Sequence, residues 1–309
     1  AAKVNAGQTT LSAKLTADIV VNENVMQPGT FTLNGTPSRS WTPIGTSSNY
    51  FNGTFDGNGH TISGLYFNNT TNSNYPAGGK YIGLIGYANG ATIKNVVVKD
   101  SYIYGYCDVA GICGYAYDST QITNCGYEGY VYGSSYDYGI AYNYSATVEN
   151  CYSVSNQPLS NKATTNCYHD NSKYTSSTTY STGKPSEAFA SGEVAFLLGE
   201  GWGQKIGTDA TPRLGGDKVY KNTYSGECSG EGYSNVDEHG VVTERNHNFN
   251  EEGVCTQCGF HLISTADQLY AFAAKVNAGQ TTLCAKLTAD IVVKENVLQH
   301  GTFTVNGRP

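Results

Sequence analysis

Arginine is nearly missing from this chain. Four occur in 309 residues, Arg39, Arg213, Arg245 and Arg308, and the net charge is −7. A nucleic-acid partner needs a basic face that releases counterions from phosphates, and none is present. Charged residues are 14% of the chain, against roughly 25% in typical domains. Methionine (1) and proline (8) are also scarce. No apolar run reaches the ~18–20 residues that span a bilayer. Also missing are the nucleophile-elbow, phosphate-loop and zinc-protease motifs. A polysaccharide-cleaving site would need clustered carboxylates with a neighbouring base. No arginine lies between Ser40 and Pro212, and the acids of the repeat units over 51–156 (Asp56, Asp100, Asp108, Asp118, Glu128, Asp137, Glu149) are not all at one repeat position. Asp108 and Asp137 are spaced so that they could stack. The chain reads as a non-enzyme.

What is abundant is glycine (37) and tyrosine (25), with Asn, Ser and Thr supplying the other polar surface. This mix favours strands and turns over helices. The beginning of the chain also returns at its end. Residues 1–37 recur as 273–309, and only positions 12, 22, 26, 28, 33 and 36 differ. Identity at that level implies recent duplication and marks the chain as a section of a longer tandem array. The lack of a leader-like segment therefore carries no weight.

A shorter period lies within the first. Gly83, Gly111 and Gly139 are evenly spaced, and the same step separates Tyr87 from Tyr115, Tyr102 from Tyr130, and Tyr104 from Tyr132. Asn95-Val96, Asn124-Cys125, Asn150-Cys151 and Asn166-Cys167 occupy one place in successive units. Asparagine tolerates a left-handed turn and bonds neighbouring amides, so these four predict an amide ladder. The residue after each points the other way, which predicts a column of small apolar side chains inside. A period of roughly 20–30 residues with short strands and glycine turns predicts a β-solenoid, whose units bury their apolar faces against each other. Alternation in Tyr102-Ile103-Tyr104 and Tyr130-Val131-Tyr132 turns the aliphatic residue in and the tyrosines out. Upstream, 51–67 fits as an earlier unit. Phe55, Ile62 and Leu65 are its inward residues, and Asp56-Gly57-Asn58-Gly59 is a corner turn.

The pattern from Phe51 to Leu65, followed by Gly83 to Val96 with an echo at Gly111 to Cys125, resembles the GLUG-motif repeats of bacterial surface proteins. The resemblance covers roughly 40–170. It implies an all-β fold, a right-handed parallel β-helix, on a secreted or cell-surface protein of adhesin-like role. It brings no catalytic residues with it.

The ends of a solenoid need caps. Residues 261–279 supply one: Ser264 or Thr265 as N-cap, an apolar face of Leu269, Phe272, Ala273 and Val276, and Gly279 as the stop. A further helix is predicted at 186–198, and a closing strand and turn after Trp202. His60 and His169 are solitary and read as turn or surface residues. Residues 222–262 are polar and carry Cys228, His247, Cys255 and Cys258. The Cys-x-x-Cys turn aims two thiolates at one ion, and His247 and Cys228 complete a tetrahedral zinc set. A disulfide, or thiols in a linker, is the competing reading.

The expected organisation is a β-helix domain over 1–221, a small Cys/His module over 222–262 and the start of the next repeat over 263–309. No cofactor is required, and the candidate metal is a structural zinc. The expected function is a structural or adhesive module of an extracellular, cell-surface protein. Its partners are glycans, surface proteins or adjacent repeats. The alternative is a glycan face formed by Tyr87, Tyr102, Tyr104, Tyr115, Tyr130 and Tyr132, whose rings can stack on sugars. The same tyrosines can instead serve only to stabilise the sheet. A polysaccharide lyase or hydrolase is the remaining reading. The second copy of the repeat is expected to lack a body to pack on within this chain.

Overall fold

Short strands separated by glycine and asparagine corners dominate the chain, and nearly all of them pair in parallel. The computed structural model describes residues 1–175, 180–224, 230–235, 248–256, 259–281 and 283–293. The two longest strands, Thr92–Tyr104 and Gln121–Tyr132, lie side by side. Ile93 pairs with Ile122 and Tyr102 with Tyr130, and the offset shortens by one between them, at a bulge where Asp100 is the extra residue. The predicted step of the sequence is thus the register of the sheet. Ala13–Lys14, Thr54–Asp56, Tyr152–Ser155, Tyr168–Asp170 and Thr182–Lys184 extend that sheet in chain order. A second parallel sheet joins Ile85–Asn89, Cys113–Tyr117 and Ala141–Asn143. A third joins Lys80–Ile82, Cys107–Ala110 and Ser135–Tyr138.

Alternation decides what is inside. Ile93, Val96, Val98 and Ile103 from one pass, and Ile122, Cys125, Tyr127 and Val131 from the next, are all fully buried. Phe55, Ile62 and Leu65 are buried as expected. Each such aliphatic side chain contributes roughly 1.5–3 kcal/mol on leaving water. Where the inward run must turn, asparagine takes the left-handed conformation. Asn95, Asn124, Asn150 and Asn166 have φ between 49° and 56°. Most residues lose about 1–2 kcal/mol there, whereas asparagine tolerates it. The amides then bond upward: Nδ2 of Asn124 donates to Asn95 Oδ1 at 3.0 Å, and Nδ2 of Asn166 to Asn150 Oδ1 at 2.8 Å. Asn95 Nδ2 in turn donates to Asp56 Oδ1 at 3.0 Å. The ladder breaks once, because Asn124 Oδ1 is buried without a partner. Beside it runs the sulfur column. The Cys125 N–H donates to Cys151 Sγ and the Cys151 N–H to Cys167 Sγ, both at 3.4 Å.

The segment after the strands departs from the sequence reading. The helix predicted over 186–198 is two short helices, Ser186–Ala190 and Glu193–Leu198. Gly192 separates them in a left-handed conformation, φ 90°, against Ile206 and Val219, where a side chain would clash. Trp202–Gly203 then pairs antiparallel with Arg213–Leu214. Phe189, Val194, Leu198 and Trp202 pack on Val97 and Tyr152, which point outward from the large sheet. Between those two, Gly126 clears the space: a Cβ there would sit 2.5 Å from the Tyr152 ring. This segment therefore covers part of the sheet's outer face as a second apolar core.

Contacts divide the chain into two units, Ala1–Lys221 with Tyr233–Val236, and Asn222–Gly232 with Asp237–Pro309. In the second unit, helix Ala266–Asn277 starts on a capping box: the Thr265 side chain accepts from the Gln268 N–H, and the Gln268 side chain from the Thr265 N–H. The strand before it, His261–Ile263, pairs in parallel with Ala285–Leu287. Among the described residues of this unit, Cys255, His261 and Ile263 are buried, and no residue of the helix is fully buried. Among the described residues no helix is long and apolar enough to cross a membrane.

Candidate functional site

The outward tyrosines fall on two surfaces. On the large sheet, strand spacing of about 4.8 Å sets ring spacing. Tyr102 stacks on Tyr130 with centroids 4.8 Å apart and planes 13° apart, and Tyr104 on Tyr132 at 4.6 Å and 11°. Tyr66 continues the first stack at 6.2 Å from Tyr102. Parallel stacking at this distance covers ring faces with neighbouring rings. The surface that remains is a comb of ring edges and hydroxyls.

The other two predicted tyrosines lie on the second sheet. Tyr87 and Tyr115 stack at 4.7 Å and 24°. Among the described residues no ring contact joins this pair to the first set. Tyr81 meets both rings edge-on, at 5.3 Å and 5.4 Å. Tyr117, Tyr142 and Tyr144 also lean on Tyr115, and Tyr136 and Tyr138 on Tyr142. The cluster closes around a carboxylate. Asp108 is buried and left-handed, φ 55°, and the register places it between Tyr81 and Tyr136, which are also left-handed. The Cys107 thiol donates to Asp108 Oδ2 at 3.3 Å. Burial raises the Asp108 carboxyl above its ordinary range, opposed by that thiol and by Lys80. Burial, then neighbouring groups, also raise the phenols of Tyr81, Tyr87 and Tyr115, and push Tyr138 up to about 12.

Sequence reasoning treated the six tyrosines as one set, missed Tyr81 and Tyr136, and read Asp108 only as a stacking partner of Asp137. The signal was there: the three are almost evenly spaced along the chain, in step with the strands on either side. Asp108 and Asp137 do not stack, since Asp137 faces Val109. The Asp137 carboxylate accepts from the Gly133 N–H at 3.0 Å. His169 is also corrected. It is buried, its Nδ1 lies 3.0 Å from Ser181 Oγ, and desolvation lowers its pKa. The strand Tyr168–Asp170, paired on both sides, carries it there.

The outer acids are engaged. Asp100 accepts from the Val25 and Met26 N–H groups at 3.0 Å and 2.8 Å. Asp56 accepts from the Asn58 N–H at 2.9 Å, fixing the expected corner turn. Glu128 Oε1 accepts from Tyr152 at 2.5 Å and from Thr211 at 2.7 Å. Glu128 also separates two cavities, about 330 Å³ beside Phe31 and Asp100 and about 280 Å³ beside Lys99 and Arg213.

Of the proposed zinc ligands, Cys228, His247 and Cys258 lie outside the described residues. Cys255 is buried, and its N–H donates to the Phe260 carbonyl at 2.8 Å. Among the described residues no group of three or more His, Cys, Asp or Glu side chains is placed to hold a metal. Comparisons with family models, curated proteins and solved structures returned no match for the chain.

Proposed function

We propose that this chain is a right-handed parallel β-helix, a section of a tandem array of GLUG-type repeats on a bacterial cell-surface or secreted protein. Its role is structural and adhesive, without substrate turnover. The observation that carries this reading is the pairing of strands in chain order at one repeat step, with like side chains stacked on like. Two further features support it. The outer carboxylates hold the chain's own backbone and hydroxyl groups. The tyrosine faces on the large sheet are spent on each other. In this reading the rows stiffen the sheet, and adhesion uses the exposed edges and hydroxyls.

A glycan array tests the reading directly. The expected result is no glycan signal that disappears when Tyr104→Ala and Tyr132→Ala are introduced. A signal lost in those two variants would replace this reading with a carbohydrate-binding one. Release of unsaturated or reducing ends from any uronic polysaccharide would overturn both.

A further inference from the structure

One sequence occurs twice in this molecule, in two different surroundings. In the first copy, strand Ala13–Lys14 lies parallel to Thr54–Asp56, with Ala13 opposite Phe55 and Lys14 opposite Asp56. The Leu15 N–H donates to the Asp56 carbonyl and the Val21 N–H to the Ser63 carbonyl, both at 2.9 Å. Leu15 and Val21 pack against the main core, and Val4 is 5% exposed within it. Asn5 fastens the preceding short helix, Ala2–Asn5: its Nδ2 donates to the Pro43 carbonyl at 3.0 Å, and its Oδ1 accepts from the Gly45 N–H at 2.8 Å. The counterparts of Val4, Asn5, Leu15 and Val21 in the second copy are Val276, Asn277, Leu287 and Val293. Here Leu287 is 59% and Val293 47% exposed, Asn277 is exposed, and Val276 is only half-buried.

The second copy pairs with a strand that the first copy has no counterpart of among the described residues, and it does so on the opposite edge. Ala285–Leu287 pairs with His261–Ile263 through the backbone of Cys284 and Thr288: the His261 N–H donates to the Cys284 carbonyl, and the Thr288 N–H to the Ile263 carbonyl. Backbone groups alternate sides along a strand. Ala285 and Leu287 therefore aim theirs away from His261–Ile263. That is the edge on which the first copy's Leu15 meets Asp56. The two pairings are compatible and together specify a three-strand order: His261–Ile263, then Ala285–Leu287, then a body strand equivalent to Thr54–Asp56.

We propose that residues 261–293 are the assembled entry cap for a second copy of this chain's own parallel-strand body. Ala285 takes the place opposite that body's Phe55, and Lys286 the place opposite its Asp56. Leu287 and Val293 enter its core, and Asn277 ties the helix to its Pro43–Gly45 corner. The inference rests on the tandem-array reading and adds to it the register and the joining residues. His261–Ile263 becomes the outermost strand of the next repeat.

The test extends the full chain by a second copy of residues 38–221, with the unextended chain as reference. Amide exchange is read at Leu287 and Val293. The expected result is at least about tenfold slower exchange in the extended chain, approaching that of Leu15 and Val21. Leu287→Asp separates docking from general stability. It leaves the melting of the unextended chain unchanged, and it abolishes the added protection in the extended chain. Equal exchange in the two chains with the appended body folded would overturn the cap assignment and leave the structural reading standing. An appended body that fails to fold behind its cap would overturn the assignment as well.

Discussion

The two tyrosine surfaces grow from the same repeat step and end up differently built. On the large sheet, Tyr102, Tyr104, Tyr130 and Tyr132 lie nearly flat on one another. Over the second sheet, Tyr81 of the third sheet meets the rings edge-on, and the cluster wraps a buried carboxylate. The difference lies in the neighbouring backbone. The third sheet has a left-handed residue in each pass at Tyr81, Asp108 and Tyr136, which turns two tyrosines and one aspartate toward the adjoining row. One repeat length thus yields a flat comb where the strand runs on, and an interlocked cluster where it corners.

The largest effect that separates the surfaces is truncation at their centres. Tyr115→Ala removes a ring held by Tyr81, Tyr87, Tyr142 and Tyr144 and is expected to cost about 2–4 kcal/mol. Tyr104→Ala, at the edge of the comb, is expected to cost about 0.5–1.5 kcal/mol. Urea denaturation of both variants reads the gap, and equal costs would erase the distinction. Next is alkali. A phenol whose folded pKa is raised contributes stability that is present below its unfolded value near 10 and lost as pH rises through the folded one. Tyr138, pushed up to about 12, places that loss between pH 10 and 12. Tyr138→Phe should shift alkaline unfolding, followed by circular dichroism, to higher pH. The smallest effect is expected at Asp108. Its raised pKa means that folding favours the protonated form, so stability present below pH 3.8 is lost as pH rises through the folded pKa. Asp108→Asn keeps a residue that tolerates the left-handed backbone and removes the buried charge. It should raise the melting temperature at pH 7 and leave it unchanged at pH 3. A drop at pH 7 would mean that the charge itself holds the cluster together.

Much of the parallel pairing was legible because its step is written in residues with few alternatives. Asn95, Asn124, Asn150 and Asn166 each take the left-handed conformation that asparagine tolerates better than most residues, and each precedes an inward side chain. The tyrosine spacing likewise became strand register. The packing of Phe189 and Trp202 on the outer face was not legible. It depends on Gly126, one glycine among 37, whose lack of a side chain matters only once Tyr152 lies over it. His169 was misplaced for a similar reason. A lone polar residue in a Ser/Thr-rich stretch reads as surface, and its burial follows from strands pairing on both sides. The division of the six tyrosines between two sheets was hidden because a shared period says which residues are one pass apart. It does not say which residues share a face.

The sulfur column has a practical consequence. Cys125, Cys151 and Cys167 of the column are buried, as is Cys113 on the second sheet, and burial raises the pKa of the Cys113 and Cys151 thiols well above the ordinary thiol range. Thiol reagents act on the thiolate and need access. The folded chain should therefore hide these four from maleimide, and each pass of the chain that opens should uncover its own sulfur. The molecule carries a built-in, position-resolved reporter of unravelling that mass spectrometry can read without an engineered label.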